Sequence, residues 1–134
     1  VVKSKYSCLR GLHFQFEPKS QSKLITVIKG EIQDVAVDLR KSSPTFGKYF
    51  SIILSDSNLK QLFIPKGFAH GFLTLSKDSI VHYKVDNFYS PHCQSSIAFN
   101  DKHIGIDWNI NEKEIFTSDN DRNNSSFLDI KYFN

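Results

Sequence analysis

Between Leu24 and Val85 apolar and polar residues alternate with a period of two. That period puts successive side chains on opposite faces of an extended strand, whereas an amphipathic helix would repeat near 3.6. The pattern predicts strands over Leu24–Val27, Ile32–Leu39, Tyr49–Leu54, Gln61–Ile64, Gly71–Leu75 and Ile80–Val85. Turn-forming clusters separate them: Lys29-Gly30, Ser42-Ser43-Pro44, Ser55-Asp56-Ser57-Asn58, Pro65-Lys66-Gly67 and Ser76-Lys77-Asp78. Strands about ten residues apart with short turns predict an antiparallel sandwich or barrel. The spacing does not separate a jelly roll from other β-barrels. From Asn111 the chain turns polar and rich in Asn, Asp and Ser. This tail is expected as a loop or short helical turn that folds back over the rest. Without a repeat or linker, residues 1–134 read as one domain.

The strand over 32–39 holds an anomaly. Ile32, Asp34, Ala36 and Asp38 share one face, and Val35, Val37 and Leu39 share the other. A carboxylate facing a core is costly unless paired. Asp34 and Asp38 therefore need partners. One solution is structural, a backbone amide or an arginine such as Arg40. The other is functional, a carboxylate that orients a pocket histidine.

Composition removes several function classes. The net charge of +3 suits an anionic small molecule and is too weak to argue for nucleic acid. No apolar run reaches the roughly 18 residues of a membrane span. Cys8 and Cys93 are far apart and form no CxxC pair. With no signal-like start, they read as free thiols in a reducing compartment, the cytoplasm.

Candidate chemistry gathers at two motifs, Arg10-Gly11-Leu12-His13-Phe14-Gln15 and Pro65-Lys66-Gly67-Phe68-Ala69-His70-Gly71-Phe72. Each places a histidine in a β-type segment among aromatic and apolar neighbours. Histidine exchanges protons near neutral pH. Taken with a lysine, a tyrosine and an aspartate, two such residues read as proton-transfer chemistry. The plainer alternative is a pair of hydrogen-bonded core histidines.

Further segments extend the pattern: Gln21-x-Lys23-Leu24, Gly30-Glu31-Ile32-x-Asp34-Val35-Ala36-Val37-Asp38-Leu39-Arg40, Ser43-Pro44-Thr45-Phe46-Gly47, Tyr83-Lys84, Tyr89-Ser90-Pro91 and Ile104-Gly105-Ile106-Asp107-Trp108. In order, and over nearly the whole chain, these segments resemble the dTDP-4-dehydrorhamnose 3,5-epimerases. The resemblance implies an all-β, cupin-type jelly roll, usually a homodimer. It implies cofactor-free conversion of dTDP-4-keto-6-deoxyglucose into dTDP-4-keto-L-rhamnose, on the route to dTDP-L-rhamnose and cell-surface polysaccharide.

By that resemblance His13 is the general base, and Asp121 is the carboxylate that pairs with it and holds its ring. The match at Asp121 needs a one-residue shift, so Asp119 stays open. Lys23 lies beside the C4 oxygen, where an ammonium would stabilise an enolate. Tyr83 is the proton donor on the far face of the sugar. Arg10 and His70 contact substrate, the Arg10 guanidinium being suited to diphosphate oxygens. Tyr89 stacks on thymine. Gln94 and Asn120 occupy positions where the family carries a substrate-contacting glutamate and lysine. His82, His92 and His103 match no site position and read as surface or structural.

Family members begin some tens of residues earlier, with a Glu-Arg-Gly-Phe-like stretch and Gln/Asn contacts made partly across the dimer. The present sequence is expected to be a fragment or a naturally short form. Two rival readings remain. Pro65-x-Gly67-x-x-His70 also resembles a metallo-cupin motif, but the first strand offers His13-Phe14-Gln15 in place of His-x-His, so no metal is expected. A non-catalytic or single-carbon sugar-nucleotide relative is the other.

Overall fold

The computed structural model describes every residue from Val1 to Asn134. Nine strands run in chain order: β1 (Val2–Lys5), β2 (Leu9–Gln15), β3 (Lys23–Lys29), β4 (Glu31–Asp38), β5 (Tyr49–Ser55), β6 (Gln61–Ile64), β7 (Phe68–Thr74), β8 (Asp78–Val85) and β9 (Gln94–Ser96). They form two antiparallel sheets, one ordered β1-β8-β3-β6 and the other β5-β4-β7-β2-β9. This is the antiparallel two-sheet form of the jelly roll. The six strands expected from alternation correspond to β3–β8. The short segments β1 (Val-Lys-Ser-Lys) and β9 (Gln-Ser-Ser) carry almost no apolar residue. Ladder hydrogen bonding at a sheet edge, not side-chain burial, makes them strands.

Two apolar layers hold the sheets. Ile25, Val27, Ile32, Ala36, Leu54, Ile64, Phe72 and Val81 pack between them. On the outer face of the five-stranded sheet Leu12, Phe14, Val35, Val37, Leu39 and Ala69 form a second layer with Ile97 and Ile104. Trp108, and Phe127, Ile130 and Phe133 from the polar tail, cover it. Strand β4 is therefore buried on both faces, which explains why apolar residues occupy one face and why aspartates on the other need partners. Each fully buried Val, Leu or Phe contributes about 1.5–3 kcal/mol. The tail is fastened by Asp101, whose carboxylate accepts from the Phe127 amide at 2.8 Å and the Ile104 amide at 3.1 Å.

The two aspartates of β4 resolve differently. Asp38 takes the structural solution. It accepts from Arg40 Nε at 3.0 Å and from the Ser43 and Thr45 hydroxyls at 2.5 and 2.6 Å. Burial opposes its ionisation, but these donors prevail and hold its carboxyl well below the usual range. Asp34 instead meets His70.

Two motif glycines explain each other. A Cβ on Gly71 would lie 2.7 Å from the Arg10 carbonyl oxygen, and a Cβ on Gly11 would lie 2.6 Å from the Gly71 Cα. Strands β2 and β7 touch backbone to backbone where the register shifts between Arg10 and His13. Gly11 also has φ of +125°, open to glycine and costly to other residues.

Candidate active site

Past the Gly11–Gly71 contact, His13 and His70 face one another as register partners on β2 and β7. Leu12 and Phe14 point into the outer layer, so strand alternation turns His13 and Gln15 to the inner side. Here the sandwich opens into two adjoining cavities. One, of about 410 Å³, is lined by residues that include His13, Gln15, Lys23, Tyr83, Phe88, Tyr89 and Gln94. The other, of about 350 Å³, is lined by residues that include Arg10, His13, Tyr83, Gln94, Asn120 and Asp121. His13, Tyr83 and Gln94 belong to both. A larger concavity of about 700 Å³ beside β1 shares only Arg10 with them and contains no histidine.

His13 Nε2 lies 2.6 Å from Asp121 Oδ1. Asp121 sits in α1 (Asp119–Arg122), a short turn capped by the Ser118 hydroxyl. Its other oxygen accepts from the Gly11 amide at 3.1 Å, and Asn124 Nδ2 approaches Oδ1 at 3.4 Å. Burial would raise the Asp121 carboxyl. The His13 hydrogen bond and charge, with the Gly11 and Asn124 donors, outweigh burial and hold it below its ordinary value. An ionised carboxylate only accepts hydrogen bonds. His13 Nε2 then carries the hydrogen, and Nδ1 keeps the basic lone pair. Asp119 is exposed and makes no contact with His13. Of the two aspartates, Asp121 is the one hydrogen-bonded to His13.

Facing His13 from the opposite sheet are Lys23 on β3 and Tyr83 on β8. Burial pushes the Lys23 ammonium down to about 8, and the charge of Asp34 opposes that shift. Burial pushes the Tyr83 phenol up, the Asp34 charge adds to this, and Arg10 opposes it. Tyr83 is protonated at neutral pH, as any phenol is, and is held so more firmly here, while Lys23 is still mostly an ammonium. Asp34 Oδ1 lies 2.5 Å from His70 Nε2, and both side chains are almost wholly buried. Burial lowers His70 despite Asp34, so its ring is neutral. Asp34 Oδ2 has no hydrogen-bond partner. The structure places His70 behind the cavity wall, its ring centroid 6.1 Å from that of Tyr83.

Of the remaining candidates, Tyr89 projects at the rim beside Phe88, and Gln94 joins the two cavities from β9. Asn120 is exposed in α1 at the edge of the second cavity. Arg10 lines the same cavity, and its Nε donates to Ser4 Oγ at 2.9 Å. No three His, Cys, Asp or Glu side chains converge as a metal site would need. No helix is long and apolar enough to cross a membrane. Sequence reasoning missed Asn124, which bonds Gly11 and Asp121, and Gln21, whose amide donates to the Asn87 carbonyl oxygen at 2.8 Å. Asn124 lies in no patterned element, and Gln21 stood out only as the first residue of Gln21-x-Lys23-Leu24, with no role attached.

The family model of dTDP-4-dehydrorhamnose 3,5-epimerase matches residues 1–129. The chain belongs to this family. It is 49% identical over 131 residues to the dTDP-4-dehydrorhamnose 3,5-epimerase of Shigella flexneri, covering 98% of the chain and 71% of that relative. Several other curated relatives are matched over less than two thirds of their length. The crystal structure of the Elizabethkingia anophelis NUHP1 epimerase superposes with a TM-score of 0.95 at 45% identity, covering 98% of this chain and 72% of that one. A dTDP-6-deoxy-D-glucose-3,5-epimerase from Legionella pneumophila Philadelphia 1, solved in complex with dTDP-4-keto-L-rhamnose, gives a TM-score of 0.92 at 42% identity, covering 97% and 68%. For this epimerase family the two-sheet jelly roll is therefore the observed fold, as the sequence resemblance implied.

Proposed function

We propose that the chain catalyses cofactor-free epimerisation of dTDP-4-keto-6-deoxyglucose at C3 and C5, giving dTDP-4-keto-L-rhamnose. One observation carries the reading. A histidine locked by a carboxylate and a tyrosine held protonated face the same cavities from opposite sheets, with a half-buried lysine on the strand beside the tyrosine. Inversion at a carbon needs a base on one face of the ring and an acid on the other.

In this reading His13 Nδ1 takes the proton on a carbon α to the C4 ketone, at C5 and at C3 in turn, and passes each to solvent; solvent returns a proton to the opposite face of C3. The electron pair of that C–H bond moves into an enolate whose charge falls on the C4 oxygen. The Lys23 ammonium stabilises that oxygen, as a preorganised cation in a partly dry site does. Tyr83 returns a proton to the opposite face of C5, and solvent restores the phenol. Asp34 holds the neutral His70 ring in place behind Tyr83. Arg10 takes diphosphate oxygens, and Tyr89 the thymine ring. Gln94 and Asn120 are neutral where the family carries charge, so their contacts with the nucleotide sugar are weaker. The reaction needs no metal, the protein acts as a homodimer, and free Cys8 and Cys93 suit the cytoplasm.

The test is incubation with dTDP-4-keto-6-deoxyglucose and product analysis by NMR. Formation of the L-configured keto sugar is expected. Recovery of unchanged substrate by a protein that binds dTDP would favour the non-catalytic relative.

A further inference from the structure

Gln15 is only 5% exposed, and its side chain is spent almost wholly on main chain. Its Nε2 donates to the carbonyl oxygens of Lys19 at 2.6 Å and Phe88 at 3.1 Å. Its Oε1 accepts from the Ser90 amide at 2.9 Å. Three of the four hydrogen bonds open to such an amide are thus used. Two of them grip the connection between β8 and β9, on either side of Tyr89. The bond from Gln21 to the Asn87 carbonyl steadies the same segment.

The gripped segment presents two rings at the mouth of the 410 Å³ cavity. Phe88 is 83% and Tyr89 68% exposed. Exposed rings at a rim suit stacking against a planar group. Gln15 follows His13 by two residues on β2, so both side chains lie on the same side of the strand, roughly 6.6–6.8 Å apart. One rigid strand carries both the candidate base and the anchor of the aromatic rim.

We propose that Gln15 is a positioning residue that fixes the Phe88–Tyr89 rim relative to His13 and so sets affinity for the planar base of the nucleotide substrate. The proposal rests on the epimerase reading and adds to it a residue that touches main chain, not the reacting sugar.

The test measures dTDP binding by calorimetry and turnover of dTDP-4-keto-6-deoxyglucose. Wild type is compared with Gln15→Met, which removes all three bonds, and Gln15→Glu, which keeps an acceptor for Ser90 and loses both donors. Each change is repeated in a Tyr89→Ala background. Loss of bonds of this kind weakens dTDP binding about tenfold. KM is expected to rise by a similar factor while kcat changes less than about twofold, the pattern of lost uniform binding. In the Tyr89→Ala background the Gln15 changes should add less than about twofold, because the residues act through one another. Unchanged dTDP affinity, full additivity with Tyr89→Ala, or a fall in kcat at constant KM overturns the proposal. If both Gln15 variants fail to fold, Gln21→Leu loosens the same segment through Asn87. A smaller rise in KM then supports the proposal, and an unchanged KM overturns it. Proton exchange by wild type with no effect of Gln15 on affinity sinks this inference alone. Gln15-dependent dTDP binding without proton exchange sinks the epimerase reading alone.

Discussion

Asp121 follows His13 by 108 residues and lies 2.6 Å from its ring. The whole sandwich has to close, and the tail has to fold back against β2, before this pair exists. The pair orients His13 so that Nδ1 is the basic atom. Asp121→Asn keeps the volume and removes the charge. A hydrogen bond to a charged group is worth about 1.5–3 kcal/mol, so the proton-exchange rate should fall about 10–100-fold. Asp119→Asn, at an exposed position in the same turn, should leave the rate within about twofold of wild type. Rates for both variants at pH 7 check this. A loss in Asp119→Asn alone would assign the pairing to the wrong carboxylate.

Tyr83 is a phenol, protonated at neutral pH, and partial burial with the nearby Asp34 charge pushes its titration further up. Tyr83→Phe keeps the ring and removes the proton. Formation of the L-configured product should drop by about 10²-fold or more, the usual range for a lost general acid. Solvent exchange driven by His13 should persist. Chiral analysis of the product alongside deuterium uptake separates the two effects, and a normal yield of L-product would require another donor.

Lys23 titrates at about 8 because burial disfavours its charge. The enolate needs the ammonium, so turnover should fall as pH rises through about 8. Lys23→Arg keeps a charge at far higher pH, since guanidinium does not lose its proton in this range. Its absolute rate will be lower, because the fork does not fit a site built for a point charge. Its alkaline limb should nonetheless move upward. A pH–rate profile from 6 to 10 for both proteins checks this, and coincident alkaline limbs would assign the limb to another group.

Gly71 has no room for a side chain. A Cβ there meets the Arg10 carbonyl oxygen at 2.7 Å and Leu12 Cδ2 at 2.8 Å. Gly71→Ala must push β2 away from β7, at a cost of about 1–3 kcal/mol typical of overpacking. Because His13 lies on the displaced strand and Asp121 is tied to that strand through the Gly11 amide, exchange should fall along with Tm. Thermal unfolding followed by circular dichroism, with activity on the same samples, tests the coupling.

Much of this was legible in the sequence. Alternation located β3–β8 because each buries one face between the sheets or both faces. It also flagged Asp34 and Asp38 as carboxylates needing partners, which are His70 and Arg40 respectively. Alternation missed β1 and β9 because edge strands made of Lys, Ser and Gln bury little. The motif glycines were visible, but their mutual contact depends on pairing between distant strands. Asp121 was reached through the family resemblance and not through any local pattern, as a contact spanning 108 residues must be. Gln15 was visible only as part of a motif. Its role depends on where the β8–β9 connection comes to rest.

The central claim is that His13 removes the protons α to the ketone. The direct measurement is deuterium incorporation at C3 and C5 of dTDP-4-keto-6-deoxyglucose in heavy water, followed by NMR for wild type and His13→Asn. Wild type should label both carbons. His13→Asn should lose about 10²–10⁴-fold of that rate at both. Retention of more than about a tenth of the wild-type rate, well outside that range, would contradict the assignment of His13 as the base.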